Sequence, residues 1–227
     1  MSEDMLIKVL VRELPGLMRD FMAKVLGENG REWIEAFKLF LKKRNPWSEI
    51  NLTPTKRYKV LQPLKTIAEF PMTAEFRAID HLRITPQDEE ATAELVIGFI
   101  TDNVKNNFLV DGGKVETSIF DSKIRPYTLK KNSVDSSIIA DLGGEEAAET
   151  TVAEMVSLMR RQGRGQQGIL LTNGNANIFY IRNTKGVLWA VRCRWNSSYW
   201  VVRAFPVADR DAWRAGDQVL VRDPSGS

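Results

Sequence analysis

The sequence predicts an α+β protein with an N-terminal helical hairpin, a mixed middle region, and a C-terminal helix followed by an antiparallel β-meander. Three observations predict it. Apolar residues recur at helical spacing through the first 47 positions, and short β-like runs broken by prolines fill the middle. The C-terminal stretch then interleaves Trp189, Trp195, Trp200 and Trp213 with Arg192, Arg194, Arg203, Arg214 and Arg222 in strand-like alternation. The corresponding divisions are residues 1–47, 48–143 and 144–227.

In the first division, apolar side chains at Leu6, Ile7, Leu10, Val11, Leu14, Leu17, Met18, Phe21, Met22, Val25 and Leu26 form the stripe of an amphipathic helix. Pro15 removes a backbone donor within it and predicts a kink. Gly27 to Gly30 stops the helix, and Trp33, Ile34, Phe37, Phe40 and Leu41 mark a second one, closed by Asn45-Pro46. Lys42, Lys43 and Arg44 suit a helix C-terminus, where the backbone dipole favours cations. The apolar stripe packs against the rest of the chain or makes a homo-oligomer seam through these helices.

Prolines 54, 63, 71 and 86 punctuate the middle region into candidate strands at Tyr58 to Leu61, Lys65 to Phe70 and His81 to Ile84. Glu94 to Phe99 reads as a strand or as the start of a helix reaching Leu109, and periodicity does not separate the two. Val115 to Leu129 alternates loosely, with Pro126 predicting an edge strand or an interruption. Beyond Gly143-Gly144 a helix is expected from Glu145 to Gln162, acidic at its start and ending in Arg160-Arg161. The meander follows as strands at Asn177 to Arg182, Val187 to Trp195, Tyr199 to Pro206 and Gln218 to Arg222.

Composition bounds the function. With 43% hydrophobic and 27% charged residues the chain is of globular type. No apolar run approaches the roughly 20 residues that a membrane helix needs. An acidic N-terminus without a cleavage signal predicts a cytoplasmic protein, and the lone Cys193 excludes an internal disulfide. One histidine and one cysteine leave zinc almost no ligands, and neither a metal nor a cofactor is expected. The net charge of +3 hides a division: residues 156–227 hold 11 basic against 4 acidic side chains, while residues 1–155 hold 21 against 25. Such asymmetry predicts a basic surface in the C-terminal part, facing an acidic protein, nucleic acid, or the acidic part of the same chain.

Motifs narrow the field further. Gly163-Arg-Gly-Gln-Gln-Gly168 has dinucleotide-fingerprint spacing, but a helix precedes it and a strand follows, the reverse of the order that places pyrophosphate on a helix N-terminus. Asp121 and Lys123, with Asp102 and Asp111 upstream, supply a remote alternative, a metal-dependent nuclease. Asp80 and His81 are adjacent, and on a strand they point to opposite faces.

The meander is the most informative segment. If Trp195 pairs with Trp200 across the Asn196-Ser197-Ser198 turn, Arg192 lies opposite Arg203 and Arg194 opposite Val201. Directly opposed like charges destabilise a sheet unless an anion, a partner or solvent screens them. The expected binding residues are therefore Arg192, Arg194, Tyr199, Arg203, Phe205 and Arg222, with no catalytic residue assigned.

Two stretches, Glu32 to Trp47 and Leu170 to Gly216, resemble uncharacterised small proteins of candidate-phyla bacteria that occur as several related copies. The shared phrases are a helical start and a Trp-containing C-terminal meander. The resemblance brings no catalytic or binding residue with it; it implies a module reused with different surfaces. The expectation is a non-enzymatic recognition module working through the cationic, aromatic sheet face. A nucleic-acid-binding protein using the same face is the alternative.

Overall fold

Alternation along residues 177–182, 188–195, 200–206 and 218–222 sends every second side chain to one side of a sheet and the rest to the other, and both sides are apolar over most of that length. The computed structural model describes residues 19, 21–27, 30–41, 59–70, 75–117, 122–207 and 211–223. The chain divides into two units, Met1–Arg57 and Tyr58–Ser227.

In the first unit the described residues give one full helix, α1 (Gly30–Leu41), preceded by a helical turn at 21–25. The turn touches α1: the Phe21 and Phe37 rings lie 4.7 Å apart, and the Lys24 ammonium sits 4.6 Å from the Trp33 ring. A 47-residue helical hairpin is not found there, and most of its expected first arm falls outside the described residues.

The second unit is built on a nine-stranded mixed sheet, which overturns the expected balance of helix and strand. Its strands are β1 (Leu61–Pro63), β2 (Ala68–Phe70), β4 (Ile97–Ile100), β6 (Ser122–Leu129), β7 (Glu149–Thr150), β8 (Asn177–Arg182), β9 (Leu188–Trp195), β10 (Trp200–Pro206) and β11 (Gln218–Arg222). A separate two-stranded sheet pairs β3 (Phe76–Arg77) with β5 (Val115–Glu116). Helices are short: α2 (Ala78–His81), α3 (Asp102–Val104) running into a π-helical turn at Lys105–Leu109, α4 (Asp135–Leu142), α5 (Glu145–Ala148) and α6 (Val152–Arg161).

The strand order is β1-β6-β11-β8-β9-β10-β4, with β2 also on β6 and β7 also on β8. β8, β9 and β10 form the antiparallel meander, but β11 does not continue it. It returns to lie between β6 and β8, parallel to β8, and β4 joins β10 in parallel. The C-terminal sheet is therefore mixed rather than antiparallel. Phe179, Ile181, Val191, Cys193, Trp200, Val202 and Leu220 face one side and pack with Met155, Val156, Leu158 and Met159 of α6. Ile178, Tyr180, Ala190, Val219 and Val221 face the other and pack with Ile138, Ile139 and Leu142 of α4. A sheet between two helical layers results.

Three local expectations are corrected. The helix from Glu145 to Gln162 is broken at Glu149–Thr150, which pairs with Tyr180 and Ile181 of β8. Helix restarts because Thr151 and Glu154 form a reciprocal capping box. Residues His81 to Ile84 do not form a strand, and His81 ends α2. Pro126 lies in the interior strand β6 rather than at the sheet's edge, beside the interruption between the β1 and β2 ladders. Its carbonyl accepts from the Leu64 N–H at 2.9 Å, so its missing donor faces the gap between β1 and β2, where no ladder bond is lost. The run Glu94 to Leu109 contains both alternatives in series, strand β4 and then helical α3 with its π turn.

Candidate functional site

The β9–β10 hairpin positions the expected residues. Asn196 donates its N–H to the Tyr199 carbonyl at 2.9 Å, and Ser197 takes the left-handed conformation, φ 60°, that closes the turn. Trp200 then pairs with Trp195, Arg194 with Val201, and Arg203 with Arg192. Because Cys193, Trp200 and Val202 point into the α6 side, Arg192, Arg194, Arg203 and Phe205 share the opposite face.

On that face Arg203 is exposed and lies 5.6 Å from the ring of Phe99, which is 44% exposed on the neighbouring strand β4. Arg192 is half-buried, with its guanidinium 5.4 Å from the Phe205 ring. Its Nε is buried and has no hydrogen-bond partner among the described residues. Burial first, then the charges of Arg203 and Arg194, push the Arg192 pKa below the ordinary guanidinium value, with nearby Asp217 opposing.

Several other basic residues of the unit are matched. Arg182 holds Glu149 at 2.8 Å and Glu145 at 3.1 Å, Arg125 holds Asp223 at 2.6 Å, and Arg164 donates to the carbonyls of Glu90, Ala91 and Ala93. No carboxylate among the described residues forms an ion pair with Arg192, Arg194 or Arg203.

Beside Arg192 the face dips into a cavity of about 290 Å³ walled by Arg192, Arg194, Phe205, Asp211, Trp213 and Asp217, among others. Asp217 is occupied, accepting from the N–H groups of Ala176 at 2.8 Å and Arg214 at 2.9 Å. Asp135, at the back of the cavity, accepts from the Tyr180 hydroxyl and the Trp213 indole, both at 2.7 Å.

The structure thus brings together Arg192, Arg194, Arg203 and Phe205. Tyr199 stands at the hairpin end, its hydroxyl accepting from Asn196 and its ring against Gly98, where an added Cβ would lie 2.4 Å from ring carbons. Arg222 belongs elsewhere: it points to the α6 side and pairs with Glu154 at 2.8 Å. Sequence reasoning missed Phe99, Asp211 and Asp217 as neighbours. Phe99 arrives through a parallel pairing with residues about a hundred positions away, which leaves no local pattern to detect.

The remaining sequence candidates separate. Gly163 to Gly168 follows α6 as a loop, with Gly165 at φ 70° beneath Trp195. Lys123 pairs with Glu69 at 3.1 Å and Asp102 with Lys105 at 3.2 Å, while Asp121 lies outside the described residues. Among the described residues no three or more His, Cys, Asp or Glu side chains gather as metal ligands. No helix there is long and apolar enough to cross a membrane.

His81 occupies a second cavity, about 250 Å³, with Asp80, Arg83, Glu89, Glu94 and Arg160 in its wall. Its Nδ1 accepts from Arg160 Nη2 at 2.7 Å and its ring lies 4.5 Å from that of Phe76. Burial, and then Arg160, lower its pKa from 6.5, with Asp80 opposing. The unfolded chain therefore binds a proton near pH 6.5 that the folded chain refuses, so stability falls as pH drops below that value. Since this is the sole histidine, His81→Asn flattens the urea-midpoint profile just below pH 6.5. Parallel profiles for the two proteins would contradict that assignment.

Comparison with protein-family models, with curated proteins and with solved structures finds no match for this chain.

Proposed function

We propose that the chain is a non-enzymatic recognition module whose β9–β10–β4 face contacts an acidic macromolecule, an acidic protein surface first. One observation carries the reading: among the described residues Arg192 opposes Arg203 beside Arg194, its buried Nε has no hydrogen-bond partner, and none of the three is ion-paired. Folding alone gains nothing from that arrangement, because a buried donor without a partner and two facing cations both cost free energy. An anion on the open part of the face screens the facing cations. A cytoplasmic setting belongs to the same proposal, since it keeps the buried Cys193 thiol reduced.

A second reading, single-stranded nucleic acid on the same face, is favoured by one feature. Arg203 over the exposed Phe99 offers a flat guanidinium and aromatic surface on which bases stack.

The paired reversal Arg192→Glu and Arg203→Glu separates these readings from a face without a ligand. Binding to immobilised poly-L-glutamate is expected to weaken at least about tenfold, the equivalent of one lost charge-assisted contact. Retention equal to that of the parent protein would sink the reading. Oligo-dT binding that declines steeply with salt, with no poly-L-glutamate binding, selects the nucleic-acid alternative.

A further inference from the structure

The cavity next to Arg192 has a charge pattern unlike the open face. Arg192, Arg194 and Arg214 contribute three cations to its wall, and Asp135, Asp211 and Asp217 contribute three carboxylates. Among the described residues no ion pair joins the two sets, although Asp217 lies near enough to attract Arg192. Asp217 is committed to the backbone of Ala176 and Arg214, and Asp135 to Tyr180 and Trp213. Asp135 and Asp217 thus build the wall, and among the described residues the buried Arg192 Nε has no hydrogen-bond partner.

This pattern discriminates between anions. A phosphate carries close to two charges and would share the cavity with three carboxylates. A carboxylate carries one charge and is planar, so it fits a guanidinium fork through two parallel hydrogen bonds with half the repulsion. The volume, about 290 Å³, lies at the lower bound for small-molecule sites and accommodates one side chain rather than a large ligand. Phe205 and Trp213, in edge contact at 5.5 Å, give an apolar surface for a short aliphatic stem.

We infer that this cavity seats a single carboxylate of an acidic peptide, an Asp or Glu side chain, on the Arg192 fork with Arg194 alongside. The inference rests on the proposed reading of the face and adds the partner's chemistry. Exposed Asp211 at the rim accepts a backbone N–H of the same peptide. Arg203, outside the cavity, attracts acidic segments without seating a group.

Fluorescence anisotropy with a labelled, end-capped glutamate-rich peptide and with labelled oligo-dT tests this on the full chain. For the peptide, Arg192→Gln is expected to weaken binding about tenfold or more, and Arg192→Lys nearly as much, because a point charge cannot replace the fork. Arg203→Gln is expected to cost only a few-fold. The lysine variant also guards against a folding artefact, since it keeps charge and most of the volume. Wild-type affinity in Arg192→Lys, or a larger loss in Arg203→Gln than in Arg192→Gln, overturns the seated carboxylate while the face reading stands. Tighter binding of oligo-dT than of the peptide overturns the peptide partner. Binding of neither probe overturns both readings.

Discussion

Trp200→Ala is expected to lower the unfolding free energy by about 3–5 kcal/mol, the range for truncating a buried aromatic side chain. Trp200 is fully buried in the layer between the sheet and α6, with its ring 5.5 Å from that of Trp195. Its indole donates to the Gln162 carbonyl at 3.0 Å. Gln162 in turn fixes the following loop, its side chain accepting from the Leu170 N–H and donating to the Leu170 carbonyl. Truncation therefore opens a void and also leaves a buried carbonyl short of a partner. Urea denaturation measures the loss, and Trp200→Phe is expected to recover part of it, since the ring returns but the donor does not. A midpoint for Trp200→Ala close to that of the parent protein would show that the hairpin does not depend on this packing.

Glu154→Ala carries the second largest expected effect, about 3 kcal/mol, the lower end for breaking a buried ion pair because half-exposed Arg222 regains water. Glu154 is 1% exposed and its carboxylate accepts from four donors: the Thr151 N–H at 2.8 Å, the Thr151 hydroxyl at 3.0 Å, Ser122 at 2.7 Å and Arg222 at 2.8 Å. One group thus caps α6 and fastens it to β6 and β11. A cycle of Glu154→Ala, Arg222→Ala and the double variant reads the coupling, expected to exceed about 0.5 kcal/mol for groups in contact. Strict additivity would mean that the pair contributes nothing beyond its separate parts.

The register of the hairpin was legible because alternation is a local property and the Asn196-Ser197-Ser198 turn fixes one phase, which set Arg192 against Arg203. The composition of the fold was not legible. Helical periodicity runs unbroken from Glu145 to Gln162, yet the two residues before Thr151 gain more by joining β8 than by continuing the helix. The capping signal was present in Thr151-Val-Ala-Glu154, and weighing it would have placed the break. The return of β11 to the middle of the sheet is a long-range choice that no window of residues encodes. Arg222 went astray for the same reason. Alternation fixed which neighbours share its face, but its partner Glu154 comes from a helix 68 residues earlier.

That central position of β11 sets a timetable for the nascent chain. β6 and β8 emerge from the ribosome well before residues 218–222, and β7 covers only Tyr180 and Ile181 on the waiting edge of β8. Until β11 arrives, the strands on its two sides are unjoined half-sheets with apolar edges open to other chains. Synthesis slowed or arrested before Gln218 thus exposes the protein to aggregation at the stage when every other strand of this sheet has already been made.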